Sequence, residues 1–133
     1  MKKILYFLMI IASHTYHTIH TQTTEEIRYE IIEIGIGTSP SDGQRVTLHY
    51  TCWTDNNGIP GVKIDSSRDR NVPFTYEMGK NITRWDHIIK LMKPGAQYRL
   101  YIPSAYAYGE RGLPGIVPPN TNLIFDFELI EVL

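Results

Sequence analysis

The residues of this chain that could do chemistry are aromatic rather than nucleophilic. It has no glycine-rich phosphate loop, no cysteine pair and no His-x-x-x-His motif. Ser66 and Ser67 carry hydroxyls, but no histidine adjoins them in sequence to act as a base. His49 falls on the outward face of its segment and His87 on the polar flank of a helical one, so both read as surface or structural residues. His14, His17 and His20 recur every third residue, yet no carboxylate or cysteine lies among them to complete a metal site. The chain implies no metal and no cofactor. The single cysteine, Cys52, excludes an internal disulfide and reads as a buried, inert thiol. What remains is an aromatic set, Tyr50, Phe74, Trp85, Tyr108 and Phe125, each on a different segment, with Asp65 where an apolar strand meets a polar loop. Each aromatic alone reads as core. Together they suit an apolar cup with a few polar tips, the usual form of a small-ligand or peptide site.

The elements that must position them follow from periodicity. Arg45 to Asp55 is the clearest strand, with Val46, Leu48, Tyr50 and Cys52 on one face and Arg45, Thr47, His49 and Thr51 on the other. Alternation also predicts strands from Ile27 to about Ile34, over Val62 to Asp65, from Phe74 to Met78, through Tyr98, Leu100 and Ile102, and through Leu123, Phe125, Phe127 and Leu129. Asn56 to Gly61 reads as loop, and SSRDRN as a polar excursion. One helix is predicted over about Thr83 to Met92, because Trp85, Ile88, Ile89 and Met92 form a single apolar stripe stopped by Pro94-Gly95. The result is an α+β domain, a mostly antiparallel sheet crossed by one short helix. Pro103, Pro114, Pro118 and Pro119, with Gly109, Gly112 and Gly115, make the stretch after Ala105 a stiff loop. Ile116 and Val117 read as apolar residues held out on it, the rim of the cup.

At 133 residues the chain has room for one domain with a real core. The formal net charge is −1, and residues 1–24 hold only Lys2 and Lys3, leaving the remainder mildly acidic. No basic face suggests nucleic acid as a partner. Met1-Lys2-Lys3 followed by ILYFLMIIA has the shape of a secretory signal peptide, too short to span a bilayer comfortably. Residues 1–24 are therefore read as signal peptide and polar leader and 25–133 as the domain. The expected location is exported, periplasmic or secreted; the alternative is a membrane anchor formed by an uncleaved leader.

Four stretches, RVTLHYT, IDSSRDRNVPF, the Trp85 helix ending in LMKPG, and AYAYGERGLPGIVPPNTNLIFDFEL, occur in the order and near the spacing of a known family. Over roughly Gly43 to Val132 the chain resembles the FKBP-type peptidyl-prolyl cis–trans isomerases, the macrolide-binding immunophilins. The resemblance implies a five- to six-stranded antiparallel sheet wrapped around one short helix. It implies Trp85 as pocket floor, Tyr50, Phe74 and Phe125 as walls, and Asp65 and Tyr108 as polar tips. Ile82 would offer a backbone N–H, and Ile64, Leu113, Ile116 and Val117 would contact substrate. Proline-containing polypeptides and macrolides are the implied partners, and a monomer is the default. The chain departs from the family in four ways. Ile64 replaces a frequent phenylalanine, Leu113 a common histidine and Ile88 a small residue, and the segment between Gly79 and Trp85 is short. The second reading, motivated by Ile64, Leu113 and the short segment, is a peptide-binding or chaperone module that isomerises weakly or not at all.

Overall fold

The computed structural model describes residues 26–80 and 85–133. Six strands, β1 (Arg28–Glu33), β2 (Arg45–Asn56), β3 (Ile59–Ser66), β4 (Phe74–Glu77), β5 (Gln97–Ile102) and β6 (Leu123–Val132), form one antiparallel sheet. Its order is β1-β5-β6-β2-β3, and β4 also pairs with β2. Two short helices accompany it, α1 (Ser67–Arg70) and α2 (Asp86–Ile89). The expected α+β architecture is therefore the observed one.

The alternating patterns become the two faces of the sheet. Val46, Leu48, Leu100, Ile102 and Leu129 are buried on one face and pack with Ile88, Ile89 and Met92 from the helix region. Ile27, Tyr29 and Ile31 close this core at the β1 edge, where Tyr29 stacks on Tyr98 at 5.5 Å. The opposite face is mixed: Ile124 is buried between its register partners Trp53 and Tyr101, and polar pairs cover the rest. There Arg99 grips Asp126 through two hydrogen bonds, of 2.6 and 2.9 Å, and Arg68 pairs with Glu128. A smaller apolar cluster of Cys52, Val117 and Leu123 takes in Ile64, Ala107, Leu113 and Phe125.

Three boundaries differ from expectation. β3 begins at Ile59, so Ile59, Pro60 and Gly61 belong to a strand rather than a loop. Asn57 and Gly58 both adopt positive φ, 55° and 86°, so two residues suffice to turn the chain. Pro60 is tolerated because β3 is an edge strand with irregular register. SSRDRN contains a helical turn, with Ser66 capping it by accepting the Arg68 N–H at 3.2 Å and Asn71 ending it at φ 53°. Four residues are too few for periodicity to reveal. The helix of the Trp85 stripe is α-helical only from Asp86 to Ile89; beyond it, Leu91 and Met92 donate to Ile88 and Ile89, a tighter turn. Thr83, Arg84 and the leader lie outside the described residues.

Candidate functional site

Tyr50 enters the site from the middle of β2, Phe125 from neighbouring β6, Phe74 from the start of β4 and Trp85 from the residue preceding α2. The sheet register brings these separate segments together, and their rings form an unbroken run. Phe74 meets Tyr50 edge-on at 6.4 Å, Tyr50 lies 6.5 Å from Phe125, and Phe125 lies 5.3 Å from Trp85. Four of the five expected aromatics thus share one surface. Two further rings support it. Phe127 stacks behind Phe125 at 5.5 Å, and Tyr76 lies 5.4 Å from Phe74 with its hydroxyl donating to Asp86 at 3.0 Å. Both supports stand two residues from a cup residue on the same strand face, and that spacing is the signal that could have found them.

Tyr108 stands on the loop between β5 and β6, 45% exposed, and its carbonyl accepts the Gly112 N–H at 3.0 Å. Its neighbour Ala107 packs against both apolar clusters, as Phe125 does, which sets the start of the loop beside the cup. Further along, Leu113 and Val117 exchange N–H···O bonds of 2.8 Å around a Pro114-Gly115 turn. This hairpin separates the two residues read as rim. Ile116 is exposed, whereas Val117 is only 2% exposed and is seated on Cys52 and Leu123. Val117 therefore anchors the loop from beneath instead of presenting a surface. Leu113 and Ile64 are half-buried against the same cluster. Ile82 lies outside the described residues.

Charge in the site is concentrated at Asp65. Its carboxylate accepts from the Tyr50 hydroxyl at 2.7 Å, from Arg70 at 2.6 Å and from the Ser66 N–H at 2.8 Å, and Arg70 also donates to the Tyr50 oxygen at 2.9 Å. Asp65 is thus engaged in fixing Tyr50 and Arg70. The Arg70 hydrogen bond, followed by that from Tyr50, holds its carboxyl below the usual range, while burial and the bond to Asp65 push the Tyr50 phenol up. A carboxyl whose native pKa is depressed contributes stability above its unfolded value, about 3.9, and loses it as pH falls through the lower native value. Asp65→Asn should accordingly be less stable than wild type at pH 7, and the gap should narrow as urea midpoints are followed below about pH 4. A gap unchanged down to pH 2 would show that the carboxylate contributes nothing through its charge.

Ser67 had no base assigned to it from sequence, yet His49 Nδ1 lies 2.9 Å from its Oγ. The pair is not a nucleophile and base, because Ser67 is 0% exposed and its hydroxyl is bound to the Tyr50 main chain. Burial, and then the negative charge of Asp65, push the Cys52 thiol up to about 12. Aromatic disulfide reagents should leave Cys52 untouched in the native protein and titrate one thiol in denaturant; stoichiometric reaction of the native protein would contradict its burial. Among the described residues no group of His, Cys, Asp and Glu is arranged to hold a metal, and no helix is long and apolar enough to cross a membrane. His14, His17 and His20 are outside them.

Comparison with known proteins bears on this geometry. Residues 37–130 match the family model described as FKBP-type peptidyl-prolyl cis-trans isomerase. The peptidyl-prolyl cis-trans isomerase Fkbp12 of Drosophila melanogaster is 46% identical over 97 residues, 71% of this chain and 86% of that one. FK506-binding protein 1 of Saccharomyces cerevisiae is 44% identical over 109 residues, covering 80% and 92%. The FK506-binding protein of Neisseria meningitidis is 41% identical over 105 residues, covering 77% and 93%. Among solved structures, the N-terminal domain of FKBP42 from Arabidopsis thaliana superposes with a TM-score of 0.70 at 26% identity, over 83% of this chain and 88% of that one. FkpA from Escherichia coli gives 0.68 at 30% identity over 90% of this chain, which spans 56% of the FkpA chain.

Proposed function

The chain belongs to the FKBP-type peptidyl-prolyl cis–trans isomerases and is an isomerase of X–Pro peptide bonds; from that premise we propose that catalysis takes place in the aromatic cup of Tyr50, Phe74, Trp85 and Phe125. The observation that carries this reading is the unbroken run of ring contacts from Phe74 to Trp85, with the Tyr50 hydroxyl held by Asp65 and Arg70.

The reaction suits such a site. Uncatalysed X–Pro rotation takes tens to hundreds of seconds because amide resonance must be broken. No covalent bond forms or breaks, so no nucleophile is needed. A planar amide is strongly dipolar, whereas the twisted amide has lost resonance and with it part of its carbonyl polarity. An apolar, water-poor cup therefore disfavours the ground state relative to the transition state. Trp85 is the floor against which the proline ring rests, and Phe74, Tyr50 and Phe125 are the walls. Tyr108 orients the peptide through its hydroxyl, and Ile116 supplies the exposed rim. Asp65 acts through Tyr50 rather than on the substrate carbonyl, since its oxygens already accept three hydrogen bonds.

Proline-containing polypeptides are the substrates, and macrolides of the FK506 type are small ligands of the same cup, in keeping with relatives named for binding FK506. The Met1–Lys3 n-region and the apolar run from Ile4 to Ala12 support export, with a retained anchor as the alternative. N-terminal sequencing of the protein recovered from cell fractions separates the two. A protease-coupled or NMR exchange assay on X–Pro peptides should show acceleration that falls with Phe74→Ala or Tyr108→Phe. An active enzyme indifferent to both substitutions would move the site elsewhere.

A further inference from the structure

Ladder pairing along one edge of β2 is interrupted at the residue that forms the cup wall. β4 pairs with Arg45 to Leu48, β3 pairs from Thr51 onward, and His49 and Tyr50 between them face neither strand. A main-chain amide and carbonyl stranded inside a domain are costly, so something must take the place of the missing ladder. Ser67, the first residue of α1, does so with a single hydroxyl. The Tyr50 N–H donates to Ser67 Oγ at 2.8 Å, and Ser67 Oγ donates to the Tyr50 carbonyl at 3.2 Å. From the other face of the sheet, His49 Nδ1 reaches the same oxygen at 2.9 Å. The hydroxyl is 0% exposed, so no water competes for it.

We propose that Ser67 is a positioning residue of the isomerase site, its buried hydroxyl substituting for the absent strand at Tyr50 and fixing the direction in which that ring enters the cup. The segment from Asp65 to Arg70 then grips Tyr50 at both ends. Ser67 holds its main chain, while Asp65 and Arg70 hold its phenolic oxygen. A ring pinned at one end only could swing about the other. Pinned at both, it keeps its edge-on contact with Phe74 and its contact with Phe125. His49 completes the arrangement: a serine oxygen has one hydrogen to give, and with it given to the Tyr50 carbonyl, His49 Nδ1 carries its own hydrogen and donates to Oγ.

The inference rests on Tyr50 being part of the isomerase site, and the test separates the two. In the full-length protein, at a temperature where circular dichroism shows each variant folded, Ser67→Ala should lower kcat/KM on an X–Pro peptide about fivefold, and in a Tyr50→Ala background by less than about twofold. An equal factor in both backgrounds, or no loss in the wild-type background, overturns the positioning role. Tyr50→Ala without effect on kcat/KM would remove Tyr50 from the site and this inference with it. Should Ser67→Ala not fold, hydrogen exchange of the wild-type protein still decides. The Tyr50 amide should exchange as slowly as its ladder-bonded neighbours despite facing neither β3 nor β4, and exchange at the rate of an unprotected amide overturns the proposal.

Discussion

Phe125→Ala should lower kcat/KM on X–Pro peptides by at least about tenfold, the equivalent of roughly 1.4 kcal/mol of lost transition-state stabilisation. Phe125 is the ring on which the others depend: it lies 5.3 Å from Trp85, 5.5 Å from Phe127 and 6.5 Å from Tyr50. It also packs against both apolar clusters. Its removal leaves a gap at the junction of floor and wall, and the gap opens on a solvent-facing cup, so water fills it. Water stabilises the dipolar planar amide and thereby opposes the effect proposed for the cup. The same substitution should cost about 2–3 kcal/mol of stability, below the range for a fully buried phenylalanine because this one is half-buried. Phe125→Leu restores apolar volume without the ring and should recover most of the stability but only part of the rate. Urea midpoints and protease-coupled kinetics on the same samples distinguish these effects. A folded Phe125→Ala within twofold of wild type would mean that the cup does not act through its polarity.

A side chain whose position depends on strand alternation is legible in the sequence; one whose position depends on a hydrogen bond between segments is not. Tyr50, Phe74 and Phe125 could be assigned inward faces because each sits in a period-2 pattern. Trp85 could be assigned because it heads an apolar helical stripe. Val117 departs from the rim position expected of it for a physical reason: in a proline-rich loop the direction of a side chain follows from the turn, and the Leu113–Val117 bridge turns it inward. Ser67 was invisible as a Tyr50 partner because seventeen residues separate them and the gap between β4 and β3 appears only once both strands are paired with β2. Asp65 is intermediate. Its place where an apolar strand meets a polar loop marks it as a polar tip, but that its carboxylate binds Tyr50 and Arg70 rather than facing a substrate follows only from the distances. The departures Ile64 and Leu113 suggested a weakened pocket. Both pack against Cys52, Val117 and Leu123, where they support the site without emptying it, so they give no ground for preferring a non-catalytic module.

Gly112→Ala should destabilise the protein far more than Gly115→Ala, although both glycines lie in the same loop at similar φ, +62° and +78°. At Gly115 an added Cβ meets nothing within 4 Å, so the cost is that of a left-handed L-residue, about 1–2 kcal/mol. At Gly112 the Cβ would lie 2.4 Å from the Val117 oxygen and 2.8 Å from the Pro118 carbonyl carbon. These are backbone atoms, and the Val117 oxygen already accepts the Leu113 N–H, so neither can yield without breaking the bridge. The loop must open, withdrawing Val117 and Leu113 from Cys52 and Leu123, and a total of roughly 3 kcal/mol or more is expected. Because the Gly112 N–H also holds the Tyr108 carbonyl, the loop's entrance moves and isomerase activity should fall with it. Cys52 offers a readout independent of both: with Val117 lifted away, its thiol should react with an aromatic disulfide in Gly112→Ala under native conditions, and stay silent in Gly115→Ala. Matching urea midpoints and matching thiol silence in the two variants would show that the loop is held by something other than the Leu113–Val117 bridge.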